Sequence, residues 1–169
     1  MPTNTYTPLA TVTLASAAAS VTFSSIPGTY RDLILEMNHR VDSSATAADS
    51  FFRFNGDTGN NYNHVFMSVI NTATVSASGT RTYLETNIDD TSIFTRNQLQ
   101  IFDYAQTDKH KSGLMIEGLA TYAVFRRALR WASTSAITSI SITAADRLGS
   151  GTPDNFAAGS IFSLYGVIG

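Results

Sequence analysis

The oxygen-bearing side chains between residues 55 and 61 are the densest group that could bind a cation. Asp57, Asn60 and Asn61 lie close together, as the ligands of calcium loops do. An EF-hand loop also needs a ligand two residues after its first, and Gly59 occupies that position. Gly, Asn and Asp tolerate positive φ and are typical of tight turns. The segment is therefore predicted to be the turn of a β-hairpin, without a metal.

The side chains that could support catalysis show no recognised spacing. His39, His64 and His110 are too widely separated for a local zinc motif, and they are expected to be ordinary surface or strand-end histidines. Serines are numerous, but the chain has no G-x-S-x-G elbow and no nucleotide-binding glycine motif. A polysaccharide hydrolase would need two carboxylates across a sugar-sized cleft, and no such pair stands out. No catalytic residue and no cofactor is predicted, and we expect that the protein is not an enzyme.

The composition restricts the kinds of partner. Only 14% of the 169 residues are charged, against roughly 25% in ordinary soluble domains, and the net charge is −2. A weakly negative chain does not attract a polyanion, so nucleic acid is not an expected partner. The chain has no cysteine, which excludes disulfides and thiolate metal sites. Low net charge weakens self-repulsion, which suits a protein that is packed into an assembly.

No membrane is expected as a partner, because no stretch approaches the ~18 consecutive apolar residues of a membrane span. The Ala-rich segment from Leu9 to Val21 has no basic residue before it, since the first is Arg31. Its apolar residues also alternate with Thr and Ser. The segment is interpreted as strand and not as an export signal.

Apolar and polar residues alternate along most of the chain, which is the pattern of strands with one buried face. The apolar members of these runs, which are expected to face the core, are Ala10, Val12, Leu14, Val21, Phe23, Leu33, Leu35, Met37, Phe52, Phe54, Val65, Met67, Val69, Leu99, Ile101, Leu114, Ile116, Ile140, Ile142, Phe162 and Leu164. Residues 71–92 are polar and weakly periodic, and they are predicted to be a long loop with one short strand near Tyr83.

Nine or ten short strands with turns between them predict an all-β fold, an antiparallel β-sandwich of the jelly-roll type. The sandwich is expected to span residues 9–169 as a single domain. Residues 1–8 contain two prolines and offer no core face, so they are predicted to form an extended arm. Tyr6 is the aromatic residue of this arm and a candidate contact residue.

Three arginines next to the only tryptophan form a candidate interface. Arg126, Arg127 and Arg130 lie beside Trp131 in one run, which is assigned to a strand. Arg and Trp are over-represented among the residues that dominate binding at protein interfaces. These four residues, together with Tyr6, are the predicted contact residues. The alternative is a strand whose arginines pair with acidic neighbours.

Tyrosines provide a second candidate surface. Tyr62, Tyr83 and Tyr122 would form a platform for sugar if they were exposed. With seven Tyr and ten Phe residues in the chain, most aromatic side chains are instead expected to belong to the core.

Three stretches carry a resemblance to a known class of protein: residues 21–33, 52–62 and 155–167. They resemble small virion structural proteins of tailed bacteriophages, especially those of cyanobacteria and other aquatic hosts. The matching stretches are strand–turn signatures that carry no catalytic residue. The resemblance therefore implies a β-sandwich component of a virus particle and no chemistry.

The resemblance implies two kinds of role. The first is a capsid cement or decoration protein on the outer surface of the virion, which binds the major capsid protein and neighbouring virion proteins. Such a protein is expected to be a homo-oligomer, with a trimer favoured because capsids offer threefold positions. The alternative is a tail or head fibre, or a receptor-binding module that recognises glycans of the host surface.

Overall fold

The computed structural model describes residues 5–42, 48–70, 73–88, 92–119, 123–146 and 154–169. Within these ranges the chain forms fourteen strands, and it contains no helix that could cross a membrane. The strands are β1 (Tyr6–Thr13), β2 (Ser20–Phe23), β3 (Asp32–His39), β4 (Val41–Asp42), β5 (Ala48–Phe54), β6 (Tyr62–Ile70), β7 (Ala73–Arg81), β8 (Leu84–Ile88), β9 (Thr95–Phe102), β10 (Lys111–Leu119), β11 (Ala123–Trp131), β12 (Ile140–Asp146), β13 (Asn155–Phe156) and β14 (Ile161–Val167).

The strands form two main sheets. The large sheet has eight strands in the order β1-β14-β3-β9-β10-β11-β6-β7, and the small sheet has four in the order β2-β12-β5-β8. Strands β4 and β13 form a separate pair. Every neighbouring pair of strands is antiparallel. The predicted all-β antiparallel sandwich of jelly-roll type is thus confirmed.

The core lies between the two sheets, where alternate residues of each strand point inward. In the large sheet, Leu33 and Leu35 of β3 are fully buried beside Leu99 of β9. In the small sheet, Phe52 and Phe54 of β5 are fully buried as predicted. Burial of each such side chain contributes about 1.5–3 kcal/mol to stability, so the alternating pattern is the main determinant of the fold.

The predicted arm is shorter than expected. Strand β1 begins at Tyr6, whose register partner on β14 is Val167, so residues 6–8 belong to the large sheet. Residues 1–4 lie outside the described residues. A proline is tolerated at Pro8 because β1 is the edge strand of the sheet, where a missing backbone donor can face solvent.

The prediction for residues 71–92 is only partly right: the short strand near Tyr83 is β8, but the long loop is wrong. The described residues of this segment contain β7 and β8, and β7 is nine residues long. Eight of the nine β7 residues are exposed and Gly79 is partly buried. A strand without a buried face has no apolar alternation, so the pattern that identifies the other strands is missing here.

The turn over residues 55–61 is present, but the predicted hairpin is wrong. Asn55 and Gly56 both have positive φ, as tight-turn residues do. The strands on either side belong to different sheets, because β5 lies in the small sheet and β6 in the large one. Turn residues indicate that the chain reverses, but they carry no information about which sheet the next strand joins.

Candidate functional site

The outer face of the large sheet carries a continuous apolar surface on three adjacent strands. We call it the outer patch; its members form three cross-strand rows, which are Leu114–Ala128–Val65, Ile116–Arg126–Met67 and Gly118–Val124–Val69. Five of its six large apolar side chains on β6, β10 and β11 are more than half exposed, and the sixth, Ile116, is partly buried. Contiguous apolar side chains with such exposure mark surfaces that bind another molecule.

The outer patch reverses the predicted orientation of two strands. Val65, Met67, Val69 and Leu114 were expected to face the core, but they point to solvent. The inward positions of β6 are instead occupied by residues such as Tyr62 and His64, both buried. The sequence signal is the uninterrupted apolar run of residues 65–67, because a strand with apolar residues on both faces must contact something on both faces.

Arg126 lies at the centre of the outer patch and is its only charged residue. Its two cross-strand neighbours are Ile116 and Met67. Among the described residues it makes no hydrogen bond or ion pair. A shallow groove of about 360 Å³ passes beside it, bordered by Ser76 of β7 and Leu114. A free guanidinium within an apolar surface is suited to bidentate pairing with a carboxylate of a partner.

Arg130 lies at the polar rim of the outer patch. Its cross-strand neighbours are Ser112 and Asn63, and its Nη2 atom donates a hydrogen bond to Asn63 Oδ1 over 3.0 Å. An apolar centre with a polar rim is the usual arrangement of a protein interface. Arg126 and Arg130 thus lie on one exposed face, and their role as contact residues stays a prediction.

Arg127 and Trp131 are wrongly predicted as contact residues. Both side chains point inward and are buried, because β11 alternates strictly between buried and exposed positions. Arg127 Nε donates to Glu117 Oε1 over 3.0 Å, and its guanidinium lies 4.8 Å from the ring centre of Phe66. Trp131 packs edge-on against Phe54. Both residues belong to the interior of the sandwich, so their side chains are not exposed to a partner.

Tyr6 is exposed, but it is not close to the outer patch. It lies on β1, and four strands separate β1 from β11 in the large sheet. The predicted contact residues therefore divide into two surface arginines on one face, two core residues, and one tyrosine at the opposite edge.

The carboxylate of the turn residue Asp57 accepts hydrogen bonds from other groups of the same chain. The donors are Gly59 N over 2.7 Å, Asn61 Nδ2 over 2.9 Å and Trp131 Nε1 over 2.6 Å. Burial alone would raise the pKa of Asp57, but these hydrogen bonds to the charged form outweigh it, so the pKa lies below its usual value. The described residues contain no group of three or more His, Cys, Asp or Glu side chains that could hold a metal.

The Asp57→Ala variant is expected to lose about 2 kcal/mol of stability, because the buried Trp131 indole N–H is left without an acceptor. Urea unfolding followed by Trp131 fluorescence measures the loss. Asn60→Ala is the matched control, since Asn60 is exposed in the same turn; it should change stability by less than about 0.5 kcal/mol. Equal stability of the two variants would contradict the role of Asp57.

Tyr62 does not belong to the candidate tyrosine platform. Tyr62 is fully buried, and burial raises the pKa of its phenol to about 12. Tyr83 is partly buried and stacks on Phe51 with 3.8 Å between ring centres. Tyr122 lies outside the described residues. Tyr62 is therefore a core residue.

The three histidines are not gathered in one place. His39 ends β3 and is fully buried, His64 is buried on β6, and His110 is exposed before β10. The expectation of surface or strand-end positions therefore misses the burial of His39 and His64. The sequence gives no sign of this burial, because it depends on which strands of the opposite sheet cover them.

Comparison of the chain with protein families gives no match, and comparison with curated proteins gives none either. Among solved structures, the galectin LEC-6 of Caenorhabditis elegans is similar at 10% identity and a TM-score of 0.40, over 88% of this chain and 92% of that one. An alginate lyase solved with an alginate tetrasaccharide is similar at 13% identity and a TM-score of 0.40, over 94% and 79% of the chains. Scytalido-glutamic peptidase is similar at 12% identity and a TM-score of 0.35, over 88% and 74%. These similarities concern the sandwich fold alone.

Proposed function

We propose that the protein is a non-enzymatic attachment module of a bacteriophage particle, a capsid cement or decoration protein that binds the major capsid protein. The outer patch with the free Arg126 at its centre is the observation that supports this proposal. The assignment to a virion rests on the resemblance of residues 21–33, 52–62 and 155–167 to phage structural proteins.

The outer patch has the energetic features of an attachment surface. Val65, Met67, Val69, Leu114 and Val124 each retain about half of their exposure, so covering one of them contributes on the order of 1 kcal/mol. These side chains would also exclude water from the guanidinium of Arg126, which strengthens its pairing with a carboxylate. Many copies bound to one shell would add their individually modest contributions to the stability of the particle.

The chemistry of the outer patch describes its partner. The complementary surface is apolar, and an Asp or Glu at its centre pairs with Arg126. A second polar contact at the rim fits Arg130, which already holds Asn63 in place. A partner without the central carboxylate would leave the guanidinium buried without an acceptor, so the same arginine that strengthens correct binding also rejects wrong surfaces.

The Met67→Glu and Arg126→Glu variants are expected to bind at least about 30-fold more weakly to shells assembled from the major capsid protein. The first places a charge among apolar side chains, and the second repels the partner carboxylate. Co-sedimentation of purified protein with the shells gives the bound fraction. Thr22→Glu is the matched control, because Thr22 is exposed on the small sheet.

Two outcomes would contradict the proposal. One is wild-type binding by both patch variants, which would remove the outer patch from the contact. The other is a location of the protein at the tail together with glycan binding by the wild-type chain, which would favour the receptor-binding alternative.

A further inference from the structure

Strand β7 is an open edge of the large sheet. It is the last strand in the sheet order, and β6 is the only described strand that pairs with it. The small sheet does not cover its inner side, since Val75 on that side is 42% exposed. A row of backbone N–H and C=O groups therefore faces outward along nine residues.

The β7 edge lacks the features that usually prevent one sheet from pairing with another. It has no Pro, Lys, Asp or Glu, and its only charged residue is Arg81 at its end. The opposite edge of the same sheet is protected, because β1 contains Pro8 and an irregular register between Pro8 and Ala10. The two edges of one sheet thus differ in their capacity to pair.

The sequence of β7 is also nearly symmetric about its central residue, Ala77. If a second copy of β7 runs antiparallel to the first about a twofold axis at Ala77, identical residue types meet in three of the five kinds of pair. The facing pairs are Ala77 with Ala77, Ser76 with Ser78, Val75 with Gly79, Thr74 with Thr80 and Ala73 with Arg81. Ser–Ser and Thr–Thr pairs form cross-strand hydrogen bonds, and no like charges oppose each other.

We propose that two copies of the chain pair through β7 and form a twofold dimer with one continuous sheet. The pairing forms about eight to ten backbone hydrogen bonds over a contact ~30 Å long. Such a contact lies near the lower limit of area for a stable complex, so the expected Kd is on the order of micromolar. This state replaces the trimer expected from shell symmetry.

The dimer would place the two outer patches on one face. Strand β6, which carries Val65, Met67 and Val69, is the neighbour of β7 in the sheet. The two copies of β6 would lie ~14 Å apart, with the two β7 strands between them. A bivalent surface results, although the pairing itself does not depend on what the outer patch binds.

Sedimentation of the purified chain over a range of concentrations tests the proposal. The wild type is expected to convert from the 18.2 kDa monomer to a species of twice that mass. Ala77→Lys should remain monomeric at every concentration, because two ammonium groups would meet at the twofold axis. Thr13→Lys, which places the same charge on the β1 edge, should dimerise as the wild type does.

A cysteine variant tests the register and does not depend on disruption of β7. The chain has no other cysteine, and directly opposed residues of antiparallel strands have Cα atoms ~4.5–5.5 Å apart, which permits a disulfide. Ala77→Cys should form a covalent dimer under mild oxidation, whereas Thr13→Cys should not. A monomeric or trimeric wild type, or an Ala77→Cys variant that forms no covalent dimer, would overturn the proposal. Dimerisation lost in Met67→Glu but kept in Ala77→Lys would overturn it as well.

Discussion

Replacement of Glu117 by Leu is expected to lower the free energy of unfolding by about 3–5 kcal/mol, because it leaves a charged guanidinium buried without its counter-ion. The side chains of Glu117 and Arg127 are both fully buried. Arg127 Nε donates to Glu117 Oε1, while its Nη1 and Nη2 atoms have no hydrogen-bond partner in the described part of the chain. The stacking of the guanidinium on Phe66 offsets only part of the cost of desolvation.

The double variant Glu117→Leu/Arg127→Met separates two effects: the loss of the ion pair itself, and the cost of leaving one buried charge without its counter-ion. It removes both charges and fills the space with apolar side chains, so its stability should be close to that of the wild type or above it. Guanidinium chloride unfolding of the two variants and the wild type measures the difference. If the double variant is as unstable as Glu117→Leu, the unpaired charge is not the cause of the loss.

The ion pair between Glu117 and Arg127 shows how far the alternation of apolar and polar residues predicts which side chains are buried. The strict alternation of β11 places Arg127 and Trp131 on the same, inner face. It does not predict Glu117, because the apolar residues of β10 that stand out are Leu114 and Ile116, on the outer face. The inner face of β10 also contains Gly113, which is opposite Leu129. A Cβ atom on Gly113 would clash with the backbone carbonyl oxygen of Gln100, so no larger residue fits there.

The same cause explains why the outer patch could not be predicted. A pattern of hydrophobic residues assigns apolar side chains to the core, and so it conceals an interface formed by apolar side chains on the outer face. On β6 and β10 the apolar residues that stand out in the sequence lie on the outer face, whereas the inner face mixes polar side chains such as His64 and Glu117 with the buried Tyr62 and Met115, so the assignment is reversed. Strand β7 shows the other limit, because exposure on both faces removes the pattern altogether. The fold was therefore predictable where exactly one face of a strand is apolar and buried.

His39 should make the protein less stable as the pH falls. Its ring is fully buried against Phe156 and Phe162, and its Nε2 atom is within 3.1 Å of Ser50 Oγ. Burial lowers its pKa from 6.5 to about 4. In the unfolded chain the ring takes up a proton near pH 6.5, so the unfolded state binds more protons than the folded state between the two pKa values.

Stability contributed by neutral His39 is therefore fully present above pH 6.5 and is lost as the pH falls toward 4. Between about pH 7 and about pH 4.5 the loss amounts to about 2 kcal/mol. In His39→Leu this part of the pH dependence should disappear, whereas His110→Gln, at an exposed position, should keep it. Urea unfolding at a series of pH values measures the slopes. Because carboxylates titrate equally in all three proteins, the difference in the slope of unfolding free energy against pH isolates His39. Two results would show that burial does not keep the ring neutral. One is equal slopes in the wild type and His39→Leu; the other is a ring that titrates near pH 6.5 in the folded protein by NMR.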